Sequence, residues 1–298
     1  MRVLLLALAI AAFAFPSLIS QVPVDGERNS FSSLYSQSTA QAITRALAEC
    51  GTPGAAAETL CTQRQDLSYL LLDARSGTPL ANDWPDANTP IPLGSLVKPF
   101  AALAYGEKHQ FKYPVHLCRG TASGCWLPRG HGRIGLQSAI ANSCNSYFRM
   151  LTRDMTSADV QPIASLFGLQ PPDASAIGPN LAGLGGHWLI SPLAMARAYV
   201  ELSRRSEQPG ISEILEGMAQ SGKTGTGAEV DRALQHTSVF VKTGTAPCTH
   251  AKRAPGDGFA IAMLPVNRPE ILLMVRVHGV PGSHAAKIAG ELLQRVEP

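Results

Sequence analysis

Ser95-Leu-Val-Lys98, Ser143-Cys-Asn145 and Lys242-Thr-Gly-Thr245 stand in this order along a chain of 298 residues, and reading them together decides the fold. Alone, each is weak: a Ser-x-x-Lys turns up by chance about once in a chain of this length. Ser95 and Lys98 are three residues apart, so on a helix running from about Ser95 to Lys108 they share a face. Pro99 is tolerated only in opening turns, which places Ser95 at a helix start, where the positive end of the helix dipole favours developing negative charge. Lys98 can accept a proton only when neutral, and burial beside a second cation would lower its pKa. That pairing of nucleophile and base is the chemistry of acyl transfer.

Ser143 and Asn145 lie two apart, between apolar Ile140 and Tyr147-Phe148. On a loop between helices both polar side chains can face one cleft while Cys144 points back into the protein. The third motif occurs twice. Lys223-Thr-Gly-Thr226 follows Met218-Ala-Gln-Ser-Gly222, which reads as a helix end. Lys242-Thr-Gly-Thr245 follows the apolar run Val239-Phe-Val241, which reads as the end of a strand. A cleft-edge strand can present a lysine to a substrate carboxylate and a backbone amide to an oxyanion, and Gly244 permits close approach. Lys242 is therefore the candidate and Lys223 the decoy.

Outward from the motifs, Ala40–Leu47 carries helical apolar spacing. Leu67–Asp73 reads as a strand, with a turn at Ala74–Gly77 and a returning strand near Leu80. Residues 110–220 read as helices and loops with glycine-rich breaks at Gly130–Gly135 and Gly183–Gly186. Strands return at Ser238–Lys242, Phe259–Leu264 and Ile271–Val277, and a helix closes the chain from about Ser283 to Arg295. Strands at both ends with helices between them predict an α+β fold: a mostly antiparallel sheet of about five strands flanked by helices, with an all-helical insertion at about 110–230.

Composition is 45% hydrophobic and 16% charged, with a net charge of +3, which fits a globular protein and gives no basic stripe for nucleic acid. Arg2 precedes an apolar run from Val3 to Phe15 broken by Pro16, the layout of a signal peptide or short membrane anchor over 1–20. Ala12-Phe13-Ala14 offers a small-x-small cleavage site. Residues 21–37 are a polar tether, and 38–298 form the domain. The protein is expected to be exported, periplasmic or extracellular. Cys50–Cys61 and Cys118–Cys125 are the plausible disulfides among six cysteines. With no Cys-x-x-Cys and scattered histidines, no metal or cofactor is expected.

With these residues in hand, the chain resembles the transpeptidase domain of penicillin-binding proteins, with its serine β-lactamase-like fold, from about Leu67 to Val296. Pro92–Phe100 resembles the nucleophile segment, and His131-Gly132 ahead of Ser143–Phe148 the second block. Gly183–Gly186 with Ser191–Tyr199 resembles the helix before the third motif, which packs the core and does no chemistry. The resemblance implies that Ser95 is acylated by a D-Ala-D-Ala stem peptide of peptidoglycan or by a β-lactam, with Lys98 as base, Ser143 as proton relay and Asn145 on the substrate backbone. It also implies that Lys242, Thr243 and Thr245, beside Gly244, hold the terminal carboxylate, and that the amides of Ser95 and Thr245 form the oxyanion hole. A cell-envelope protein partner fits the same setting. Val241 stands where the family usually has glycine, and the basic loop Pro247–Gly258, with His250, Lys252 and Arg253, is hard to match to the family. Alternative readings are a binding or sensing domain without turnover, or a serine β-lactamase.

Overall fold

The computed structural model describes residues 38–48, 61, 64–249 and 252–295. The leader and tether expected over 1–20 and 21–37 lie outside these residues, as do Cys50 and His250. In chain order, a helix over 38–48 (α1) precedes β1 (Leu67–Asp73), β2 (Pro79–Asp83) and β3 (Ile91–Pro92). A 3-10 turn, Gly94–Val97, leads into α2 (Lys98–Lys108). The middle of the chain holds β4 (His116–Cys118), β5 (Gly132–Ile134), α3 (Leu136–Ala141), α4 (Asn145–Leu151), α5 (Ser157–Leu166), β6 (Leu189–Ile190), α6 (Pro192–Arg204), α7 (Ile211–Thr224) and α8 (Ala228–Ala233). Three long strands and a helix finish it: β7 (Phe240–Ala246), β8 (Asp257–Leu264), β9 (Ile271–His278) and α9 (Gly282–Gln294).

The expected α+β architecture is present. Five strands form one antiparallel sheet in the order β2-β1-β9-β8-β7, so β1 reaches the C-terminal strands through β9. The central strands are apolar on both faces because both faces are covered. Leu70 and Leu72 of β1 enter the core shared with the helical region, while Tyr69 and Leu71 enter the core beneath α9. Phe259, Ile261 and Met263 of β8 alternate with Ala260, Ala262 and Leu264 in the same way. The small residues on the α9 side meet Ala285, Ala286 and Ala289, letting helix and sheet approach closely. Besides the expected helices, the insertion, expected to be all-helical, contains the two-stranded sheet β4-β5, and its β6 pairs with β3, which precedes it.

Two local details differ from the expected layout, and both bear on the site. Ser95 sits in the 3-10 turn ahead of α2, not in the helix itself. Its carbonyl, to which Pro99 can offer no N–H, accepts the Lys98 N–H. The motif Lys242–Thr245 lies inside β7, paired in register with Gly258–Ile261 of β8, instead of at the strand's end. Ladder hydrogen bonds on one edge therefore fix its backbone.

Gly94 explains how the turn carrying Ser95 docks on this strand. Its φ is +54°, and a Cβ there would lie 2.2 Å from the carbonyl oxygen of Thr245. No side chain fits between the turn and β7. The buried hydroxyl of Tyr199 in α6 donates to the Leu96 carbonyl at 2.8 Å, holding the same turn from its far side. Gly94→Ala is expected to destabilise the fold by roughly 2–5 kcal/mol, from overpacking plus a left-handed backbone on alanine. Urea unfolding of wild type and variant checks this, and a loss under 1 kcal/mol (about the cost of a tolerated core swap) would contradict the docking described.

Candidate active site

The three motifs converge on one hydroxyl. Lys98 Nζ donates to Ser143 O at 2.8 Å, to Ser143 Oγ at 3.3 Å and to Asn145 Oδ1 at 2.7 Å. Lys242 Nζ donates to the same Ser143 Oγ at 2.9 Å and to the Thr243 carbonyl at 2.7 Å. Both lysines are fully buried. Ser95 is half-buried beside them, and its hydroxyl makes no hydrogen bond among the described residues. Lys98 is thus anchored through the second motif, with Ser95 one 3-10 turn away on the same segment.

Local structure places each side chain. Ser143 has a φ of +47° between α3 and α4, a left-handed conformation that costs about 1–3 kcal/mol on a non-glycine residue. Bonds from Ser143 N–H to Ile140 O and from Cys144 N–H to Ala139 O hold this strained link. As expected, Cys144 is fully buried, while Asn145 opens α4. Thr243 Oγ1 donates to Thr226 Oγ1 at 2.7 Å, and the exposed Thr245 accepts the Gly282 N–H of α9 at 2.9 Å.

Ser95, Ser143, Asn145, Thr243, Gly244 and Thr245 line one cleft of about 230 Å³. Every candidate site residue of the sequence reading is therefore either on this cleft or, for Lys98 and Lys242, bonded to its wall. A second hollow of about 400 Å³, near Ser76, Arg197 and Glu201, holds none of them.

Among the cleft residues that the sequence reading did not pick out are Trp126 and Thr226. Trp126 lines the cleft and donates its Nε1–H to the Asn142 carbonyl at 3.1 Å, with no motif to announce it. Thr226 belongs to the decoy. Lys223 is exposed at the end of α7, as a helix-end lysine should be, but the last residue of the tetrapeptide turns back to the site. Val241, the departure from the usual glycine, is fully buried and packs where Gly227 leaves room, since a Cβ on Gly227 would lie 2.3 Å from Val241 Cγ1. In the basic loop, Arg253 pairs with Asp66, and Lys252 is exposed. Trp188 is buried with its Nε1–H on Gln170 O, and His187 is exposed.

The electrostatics follow from burial. Desolvation pulls Lys98 down from 10.5 to about 7, against an opposing pull from Cys144 and Cys125. Lys242 is driven well below its usual value, by burial first and then by the charge of Lys98.

A half-buried serine beside a buried lysine, a second serine and a lysine-bearing edge strand thus meet on one side of this sheet. The chain belongs to the penicillin-binding protein transpeptidase domain family, which it matches over residues 68–296. Among solved structures it is similar to Pseudomonas aeruginosa PBP2 in complex with WCK 5153, with a TM-score of 0.65 and 17% identity over 86% of this chain and 73% of that one. It is similar to PBP2 of Helicobacter pylori, solved as a complex with MreC, with a TM-score of 0.63, 18% identity and 80% of this chain covered. The match spans 61% of that chain. The transpeptidase domain of Burkholderia pseudomallei penicillin-binding protein 3 gives a TM-score of 0.60 at 16% identity, over 90% of this chain and 92% of that one. No curated protein matches the chain.

The buried lysines make stability depend on pH. Lys98 keeps its proton to 10.5 when unfolded but only to about 7 when folded, so folding releases a proton between those values and stability rises with pH across that window. Lys98→Met should stabilise the protein by on the order of 1–3 kcal/mol below pH 7, and weaken the rise above it without abolishing it, because Lys242 titrates in the same sense. Chemical denaturation at pH 6 and pH 9 measures both effects, and equal stability of the two proteins at pH 6 would rule them out.

Proposed function

We propose that this chain is an exported peptidoglycan DD-transpeptidase or DD-carboxypeptidase that works through an acyl-enzyme on Ser95. The observation that carries the reading is the meeting of Lys98 and Lys242 at the Ser143 hydroxyl, which joins all three motifs beside Ser95. Family membership supports the same reaction class. Similarity to a PBP2 solved with WCK 5153 and to one solved with MreC fits a ligand-binding site and a protein partner.

In this reading neutral Lys98 takes the Ser95 proton as Oγ attacks the carbonyl of the penultimate D-Ala. Ser143, bonded to both lysines, passes a proton to the leaving amine. Asn145 holds the substrate backbone. The terminal carboxylate lies along Thr243, Gly244 and Thr245, near Lys242 and the N-terminus of α9, where positive potential favours it. Amides of Ser95 and Thr245 receive the oxyanion, a contribution worth roughly 10²–10³ in rate per donor. Water or an acceptor amine then releases the acyl group. The apolar leader over 1–20 supports export. Among the described residues no helix is long and apolar enough to cross a membrane.

Intact mass after incubation with a penicillin tests the core of this reading. Wild type should gain one drug mass and Ser95→Ala none. Unmodified protein with unconsumed drug would support a binding domain, and consumed drug without an adduct would support a β-lactamase. Because Lys98 must be neutral to act and titrates at about 7, acylation should accelerate as pH rises from 6 to 8 and then level off. A flat profile over that range would remove Lys98 from the role of base.

A further inference from the structure

Four soft or borderline donors gather outside the proton-transfer network. Cys118 Sγ and Cys125 Sγ each lie 3.5 Å from His131 Nδ1, and Cys125 Sγ lies 3.8 Å from Cys144 Sγ. All four donor atoms fall within 4.8 Å of one another, and the three cysteines are buried. The disulfide expected between Cys118 and Cys125 is not formed, because both sulfurs turn toward His131 and each cysteine is a free thiol. His131, one of the histidines scattered along the sequence, is folded back between the two cysteines. Its Nε2 points away and is buried with no partner among the described residues, which leaves Nδ1 as the ligating nitrogen.

The spacing is that of a tetrahedral metal site. With Zn–S near 2.3 Å and Zn–N near 2.0–2.1 Å, the edges of a tetrahedron are about 3.8 Å for S···S and about 3.6 Å for S···N. A disulfide would instead need sulfurs about 2.05 Å apart. Three thiolates and one imidazole leave no open position, which is the donor set of a structural zinc and is too soft for magnesium or calcium.

We propose that Cys118, Cys125, His131 and Cys144 bind one structural Zn²⁺ that fastens the β4–β5 hairpin to the active-site serine–asparagine motif. Binding releases the three thiol protons to solvent and holds the ion on three thiolates and a neutral imidazole. Three ligands come from one hairpin: Cys118 ends β4, His131 precedes β5, and Cys125 sits in the connecting loop, where its N–H donates to Gly120 O. The fourth, Cys144, lies between Ser143 and Asn145 and caps α4. The residue after Cys125 is Trp126, whose ring meets the His131 ring edge-on at 5.5 Å and whose Nε1–H reaches Asn142. The metal thus sets one wall of the cleft and braces the strained Ser143 from behind, without touching substrate.

The test is independent of acylation. Full-length chain, saturated with ZnCl₂ and desalted, should carry about one zinc by elemental analysis. Cys125→Ser and His131→Ala should each drop to background, whereas Cys248→Ser should keep the metal. In wild type, exchange with Co²⁺ should produce the intense visible bands of tetrahedral coordination together with a thiolate charge-transfer band, a readout that survives even if the variants fail to fold. Chelation should lower the Tm of wild type. Wild type without zinc and without the cobalt spectrum, or with a Cys118–Cys125 or Cys125–Cys144 disulfide in a non-reducing peptide map, would overturn the proposal. Zinc retained by both ligand variants would overturn it too.

Discussion

Two ammonium-bearing side chains buried against a single hydroxyl are the constraint on which the rest of this structure depends. Lys98 and Lys242 are each fully buried and share Ser143 Oγ. Burying a charge is expensive unless it is paired and hydrogen-bonded. Here the compensation is a set of neutral acceptors, the carbonyls of Ser143 and Thr243 and the amide oxygen of Asn145. With no carboxylate among the described residues bonded to either amine, the lysines give up their protons more readily. The site is therefore tuned by what it excludes from water as much as by what it contains.

Keeping such a centre dry requires backbones that come closer than side chains allow. The turn carrying Ser95 touches β7 at Gly94, where even a methyl group would collide with Thr245 O. On the other side, Gly227 opens the space that Val241 fills. A valine before the lysine is thus compensated locally, and the departure from the usual pattern leaves the edge strand in register with β8. The sheet contributes rigidity through β7, and the helical insertion contributes Ser143 and Asn145, so the cleft exists only where the two are pressed together.

The cysteine–histidine cluster extends the same logic to the back of the site. Cys144 is buried between the two polar residues that face the cleft, and its sulfur looks toward the hairpin that carries Cys118, Cys125 and His131. A loop of turns and short strands has few apolar contacts of its own with which to hold a wall in place. A closed knot of donors supplies that fixity.

Much was legible in the chain because periodicity and motif spacing are local. The apolar runs 67–73, 259–264 and 271–277 are strands, and the closing helix falls within a residue of its expected ends. All eight candidate site residues meet in or behind one cleft. What the sequence by itself determined was which polar side chains gather at the cleft and the order of the elements that carry them. Only the tertiary structure decided which lysine touches which hydroxyl, that Trp126 and the threonine of the decoy tetrapeptide join the cleft, and that cysteines spaced 118, 125 and 144 meet around one histidine instead of forming a local disulfide. The physical reason is the same in each case. These contacts join residues from different elements, whose approach is fixed by packing and by the burial of polar groups, and no local pattern encodes the distance between two segments until the core between them has closed.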